Sequence, residues 1–293
     1  MKHNSFILAV LAAACLAACS NDSEDETAPT APATPVERKL VVRAAAAPWA
    51  SQGGLVRATR AGVITTQSLT SFTMHYQQQD TYSVSRSDGN REWITAPQTW
   101  PSAVDNDTPV SFYAHTAGTY DYNGGDAYVS FTAEELASNT HDLLVARKED
   151  VTYSATKGVV WFTFDHACAA VDFNIKITET LRQQRSGNLT INEVKLLHIA
   201  KKGDYHFVGG WSNVGEPYTN YTLNTADMEV TTALQALPCS TMFFIPQAFS
   251  GDDTKLVVTY DTDKTAEISL KGIEWKAGYQ YPVDIVLGTN LIK

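Results

Sequence analysis

The stretch that decides the fold is Val159-Val160-Trp161-Phe162-Thr163-Phe164-Asp165-His166-Ala167-Cys168-Ala169-Ala170-Val171-Asp172-Phe173-Asn174-Ile175-Lys176-Ile177. Val160, Phe162 and Phe164 recur at every second position, the period that puts side chains on one face of a β-strand. Ala169, Val171, Phe173, Ile175 and Ile177 do the same, with Asp172, Asn174 and Lys176 pointing the other way. The step from Phe164 to Ala169 is odd, so the parity flips. Keeping both runs inside a core requires a bulge or bend across Asp165–Cys168.

Working outward, the same pattern fills the chain. Leu40–Ala44 is a short strand, and Ser71–Tyr76 and Val110–His115 alternate cleanly. Further strands are expected at 189–199, 205–208, 218–223, 242–245, 256–260, 266–270 and 281–287. Turn residues separate them: Ser87-Asp88-Gly89-Asn90, Asp105-Asn106-Asp107 and Asn123-Gly124-Gly125-Asp126. A capping box, Thr132 with Glu135, starts one short helix. Many short strands and little helix argue for an all-β chain of β-sandwiches. The length fits two in tandem, 37–156 and 157–293, with the short helix in the first.

The N-terminus reads as an address. Lys2 precedes an apolar run, Phe6–Leu16, that is too short to span a bilayer. Leu16-Ala17-Ala18-Cys19 resembles the lipobox of bacterial lipoproteins, which implies a signal peptide over 1–18 and acyl chains on Cys19. An ordinary cleaved signal with an incidental cysteine is the alternative. Residues 19–36 form a tether: acidic from Asp22 to Glu26, then Pro29, Pro32 and Pro35 at every third position, an extended spacer. Without residues 1–18 the chain holds 21 basic and 32 acidic residues, a net charge of −11, which argues against a nucleic-acid partner. Cys168 and Cys239 remain, either as a disulfide in an oxidising compartment or as two buried thiols.

Chemistry is sparse. G-x-S-x-G, G-x-G-x-x-G, Walker, H-E-x-x-H and C-x-x-C patterns are all missing, so neither an enzyme, a cofactor nor a metal is expected. Asp105 with Asp107, Asp252 with Asp253 and Asp261 with Asp263 read as solvated turns. His75, His115 and His198 read as packing residues. Trp93 and Trp100, with Tyr120 and Tyr122 (and Tyr128) near a Gly-Gly turn, are candidate ligand-facing aromatics, or else core.

Taken together, several ordered segments resemble those of the fimbrillins, lipoprotein-derived fimbrial subunits of anaerobic Gram-negative bacteria. They are the lipobox, Leu40–Ala46 with Val56-Arg57-Ala58-Thr59-Arg60-Ala61, Asp142–Ala146 with Val160–Ala167, Met242–Gln247, and Trp275–Tyr281. The resemblance implies two transthyretin-like β-sandwiches and a non-enzymatic role at the cell surface, in a fimbrium (pilus) anchored in the outer membrane through lipid on Cys19. It implies that an Arg-specific protease cuts after Arg60 or Arg57 and frees the first strand, which begins with Leu40, Val41 and Val42 and runs to Ala46. A strand of another fimbrial subunit then takes its place by donor-strand addition, and a host or bacterial surface ligand is a further partner. The chain stops soon after Leu287, which suggests a tip or accessory subunit that promotes cell adhesion. The alternative is a surface glycan-binding lipoprotein that joins no fibre.

Overall fold

The computed structural model describes residues 37–51, 64–86, 92–133, 141–224, 226–239 and 241–290. In chain order its strands are β1 (Val41–Ala46), β2 (Ala50–Ser51), β3 (Ser71–Tyr76), β4 (Asp80–Ser85), β5 (Ile94–Ala96), β6 (Val110–His115), β7 (Thr119–Asn123), β8 (Asp126–Thr132), β9 (Leu144–Val151), β10 (Val159–His166) and β11 (Ala169–Ile177). They continue as β12 (Leu189–His206), β13 (Gly210–Asn224), β14 (Met228–Val230), β15 (Gln235–Ala236), β16 (Met242–Phe244), β17 (Gln247–Ala248), β18 (Lys255–Tyr260), β19 (Lys264–Ser269), β20 (Glu274–Trp275) and β21 (Tyr279–Leu287). Two short helices join them, α1 (Tyr153–Thr156) and α2 (Glu179–Arg185). The all-β sandwich class expected from the alternation holds.

The first sheet runs β1-β10-β9-β6-β3-β4-β5 and wraps a core built on Phe72, Met74, Trp100, Phe112, Phe162 and Phe164. The second core lies between two further sheets. One has β11 at its centre, flanked by β21 on one side and by β15 and β16 on the other. The other has the long strand β12, paired with β13, β14, β18 and β8. A third cluster, including Tyr113, Val129, Leu143, Cys168 and Phe243, fills the space between them.

The parity flip, expected as a bulge or bend, is a bend at Cys168 that carries the chain from one core to another. Val160, Phe162 and Phe164 belong to the first core, whereas Ala169, Val171, Phe173, Ile175 and Ile177 belong to the second. At Ala167-Cys168 the chain changes sheets: Ala167 N–H donates to Leu143 O, and Gly278 N–H donates to Cys168 O. Sheet membership crosses residue 156 in both directions. β10 lies after it yet completes the first sheet, and β7 and β8 lie before it yet continue the sheet of β12.

Other details differ too. Asp172 and Asn174 face away from the second core, as the alternation implies, yet are themselves buried. Asp172 accepts from Thr241 Oγ1 (2.7 Å) and Gln280 Nε2 (2.8 Å), and Asn174 donates to Asp284 (2.9 Å), so each polar group keeps a partner. Cys168 is a buried free thiol in the third cluster while Cys239 lies in the second core, so the two are not bonded to each other. The helix expected from Thr132 falls on residues 134–140, outside the described residues. α1 and α2 were not expected. Each has a threonine N-cap: Thr152 accepts from Ala155 N–H, and Thr178 from Leu181 N–H.

Candidate functional site

The candidate site is the edge of the first sheet occupied by β1. β1 pairs with β10 in parallel, Val41 opposite Val159 through Ala46 opposite Phe164. Leu40 and Val42 are buried in the first core, and Ala44 and Ala46 pack against it, so one face tapers from large to small side chains. Val41 and Arg43 lie on the other face. The Arg43 guanidinium sits over the Trp161 ring, 4.8 Å from its centroid, and Trp161 is 60% exposed.

The parallel ladder uses the N–H of Val41, which donates to Gly158 O at 2.9 Å, and the N–H of Ala47, which donates to Phe164 O at 2.7 Å. By alternation, the even-numbered residues turn their backbone groups to the opposite side. Leu40 N–H there donates to Gln98 O, and Thr66 Oγ1 caps both the N–H (3.0 Å) and the C=O (3.2 Å) of Ala46. Among the described residues no backbone partner closes on Val42 or Ala44. Between β1 and β5 a groove of about 570 Å³ opens instead, lined by Val42, Ala44, Trp93, Ile94, Thr95 and Trp161 among others. Thr95 Oγ1 is buried there with no hydrogen-bond partner among the described residues. Arg38 ties down the start of the strand by donating to Val104 O (2.5 Å) and Pro101 O (3.0 Å).

Beyond Ala46 the chain leaves the first sheet and enters another. Ala50 N–H donates to Gly278 O, and β2 pairs in parallel with the start of β21, Ala50 opposite Tyr279 and Ser51 opposite Gln280. Between the two sheets Trp49 stacks on His166 with ring centroids 3.8 Å apart, and touches Phe243 at 6.0 Å. His166 Nε2–H donates to Ala47 O at 3.0 Å, and its Nδ1 meets Asp142 Oδ2 at 2.5 Å. Burial pushes the Asp142 carboxyl above its usual range, and the hydrogen bond from His166 pulls it partly back.

Sequence-predicted residues divide clearly. Leu40 and Val42 hold the strand, whereas Val41 lies outside the core. Cys19, Arg57 and Arg60 lie outside the described residues. Trp100 does not face a ligand: it is 2% exposed, set edge-on against Phe112 at 5.4 Å and Tyr153 at 5.6 Å. Trp93 lines the groove, with Arg86 over its ring and Phe72 beneath. Tyr120 stacks on His75 at 3.9 Å, and Tyr120 and Tyr122 both pack against the third cluster. Trp161 was missed, although its odd place between Val160 and Phe162 already turned it outward.

Two histidines read as packing residues prove to be partners: His75 Nε2 and His115 Nε2 are 3.1 Å apart. His115 Nδ1–H donates to Ala117 O, so its Nε2 carries the lone pair that accepts from His75. Thr81 Oγ1, 3.2 Å from His75 Nδ1, completes a chain of neutral groups. Burial, followed by the neighbouring His115, lowers the pKa of His75 to about 4. Among the described residues no group of three or more His, Cys, Asp or Glu gathers to hold a metal, and no helix is long and apolar enough to cross a membrane. Asp105 serves its own turn, accepting from the N–H groups of Asp107 and Thr108.

The sequence profile of the family described as fimbrillin-like matches residues 50–293. The chain belongs to the fimbrillin-like family. Its fold is shared with solved structures. A Bacteroides uniformis protein provisionally named a cell adhesion protein has 14% identity over 89% of this chain and 96% of its own, with a TM-score of 0.55. A similarly named Bacteroides ovatus protein has 13% identity over 88% and 95%, with a TM-score of 0.52. A fimbrial protein from Bacteroides vulgatus has 17% identity over 76% and 88%, with a TM-score of 0.50. No curated protein matches the chain. In this fimbrillin-like chain the matched span begins at β2, so β1 lies just before it.

Proposed function

We propose that this protein is a non-enzymatic fimbrial subunit, exported as an outer-membrane lipoprotein on Cys19 and assembled by strand exchange. Cleavage after Arg60 or Arg57 severs the β1 segment from the body, and an extended strand of another subunit takes its place against β10. The observation that carries this reading is the position of β1 at a sheet edge, where it contributes only Leu40 and Val42 as large core side chains. Burying them is worth about 3–6 kcal/mol together. That holds a covalently tethered strand, but it leaves a weak complex once the tether is cut and the segment must be ordered from solution. The vacated edge of β10 is then a template for another strand.

Arg43 is a poor cutting site, because it sits inside the β1–β10 ladder and a protease needs its substrate extended and free. Among the described residues every strand after β1 is built into a sheet. β21 pairs with β11 from Ala170–Gln280 to Ile177–Leu287. The described body thus offers an acceptor edge at β1, and the position proposed for it is the tip or an accessory place in the fibre. The test is incubation of the Arg-cleaved protein alone. A monomer on a non-boiled gel is expected, and a ladder of homopolymer contradicts the tip position.

A second reading, glycan binding, is favoured by the groove itself, which both Trp93 and the exposed Trp161 line. Affinity electrophoresis on host and dietary glycans separates it from the first: a shift lost in Trp161→Ala supports it.

A further inference from the structure

We propose that the seat of Trp49 is a specificity pocket for strand exchange, one that takes an aromatic side chain from the incoming segment. This rests on the exchange reading above and adds to it the chemistry of the partner.

The segment that cleavage would free has two footholds. β1 lies on the first sheet and β2 on the sheet of β21, with Ala47-Pro48 as the crossing. Proline suits a crossing because it has no N–H to place in either ladder, and it keeps the residue before it extended. At this crossing the chain inserts its largest ring. Trp49 covers His166, and His166 spends its outer N–H on Ala47 O. Asp142 holds the inner nitrogen, and both side chains of that pair are almost fully buried. Departure of the segment would uncover the His166 ring with its outer N–H unpaired, the buried Asp142 side chain behind it, and the backbone edge of Tyr279–Gln280. An empty seat of this kind is costly, since a polar group cut off from both water and protein loses its hydrogen bond outright.

The occupant is therefore specified by what sits there now. It is an extended segment with apolar side chains at alternate positions, as at Leu40, Val42, Ala44 and Ala46. A carbonyl comes next, at the place of Ala47, and an aromatic ring stands three residues after the last small side chain. Among the described residues the indole N–H of Trp49 has no hydrogen-bond partner. The seat thus selects ring area and stacking on His166, not a donor, and Phe should serve nearly as well as Trp.

The test uses the full chain after limited digestion with an Arg-specific protease, and fluorescein-labelled peptides spanning residues 38–51, read by anisotropy. Because the variants are in the peptide, the receptor's folding is not at issue. The wild-type and Trp49→Phe peptides should bind within about threefold of each other, and Trp49→Ala about tenfold or more weakly. If Trp49→Ala binds within about twofold of wild type while Leu40→Ala fails, strand exchange stands and the aromatic pocket is overturned. If no peptide enters and the native segment never leaves, the exchange reading falls and the pocket with it.

Discussion

Gly158 lies directly under Lys39: at its φ of 79° there is no room for a Cβ, which would overlap the Lys39 carbonyl oxygen. The same glycine supplies the carbonyl that accepts from Val41 N–H at the first rung of the β1 ladder. One backbone position therefore sets how closely the N-terminal segment approaches the sheet.

Gly158→Ala should loosen β1 specifically. Left-handed backbone alone costs a non-glycine residue about 1–2 kcal/mol, and the overlap adds to it. A loss of about 1–3 kcal/mol corresponds to a melting-temperature drop of roughly 2–4 °C per kcal/mol in a chain of this size. Hydrogen exchange should show faster exchange at Val41 and Arg43 with β18 and β19 unchanged. Uniform loss across both cores would contradict a local role.

The histidine pair makes stability depend on pH in a defined window. Folding lowers the pKa of His75 to about 4, so between about pH 6.5 and 4 the unfolded chain binds a proton that the folded chain refuses. Stability should fall as pH drops through that window and level off below it, with no contribution from this group above pH 6.5. Urea midpoints between pH 4 and 7 check this, and His75→Gln should flatten the curve. An equal slope in the variant would place the titration elsewhere.

Trp100 and Trp161 should behave as opposites. Trp100→Ala removes a buried ring and should cost about 3–5 kcal/mol by denaturant unfolding. Trp161→Ala removes an exposed ring whose contact with Arg43 is worth about 0.5–1 kcal/mol. Comparable losses in the two would mean that the burial of Trp100, or the exposure of Trp161, has been misassigned.

What the sequence disclosed was local. Alternation at Phe72-Met74-Tyr76, at Val160-Phe162-Phe164 and along Ala169–Ile177 names strands, because a half-buried strand repeats every two residues. It does not name the sheet, and so the bulge or bend expected before Ala169 did not disclose that the chain changes core there. α2 carried a legible cap, Thr178, and a Glu179–Arg182 pair, yet seven residues between two long strands hold too little periodicity to stand out. In the candidate site, β1 was visible as an apolar run. Its second foothold was not, because Trp49 and His166 meet only through the packing of two sheets. The His75–His115 pair escaped for the same reason.

The central claim, that β1 leaves and another strand replaces it, is tested most directly by mass-spectrometric N-terminal sequencing of the protein recovered from cell-surface fibres. The account predicts a chain that starts at Ala61, or at Ala58 if Arg57 is the cut, with residues 38–51 missing from the fibre. An acylated Cys19 still joined to an intact β1 in assembled fibres would contradict it.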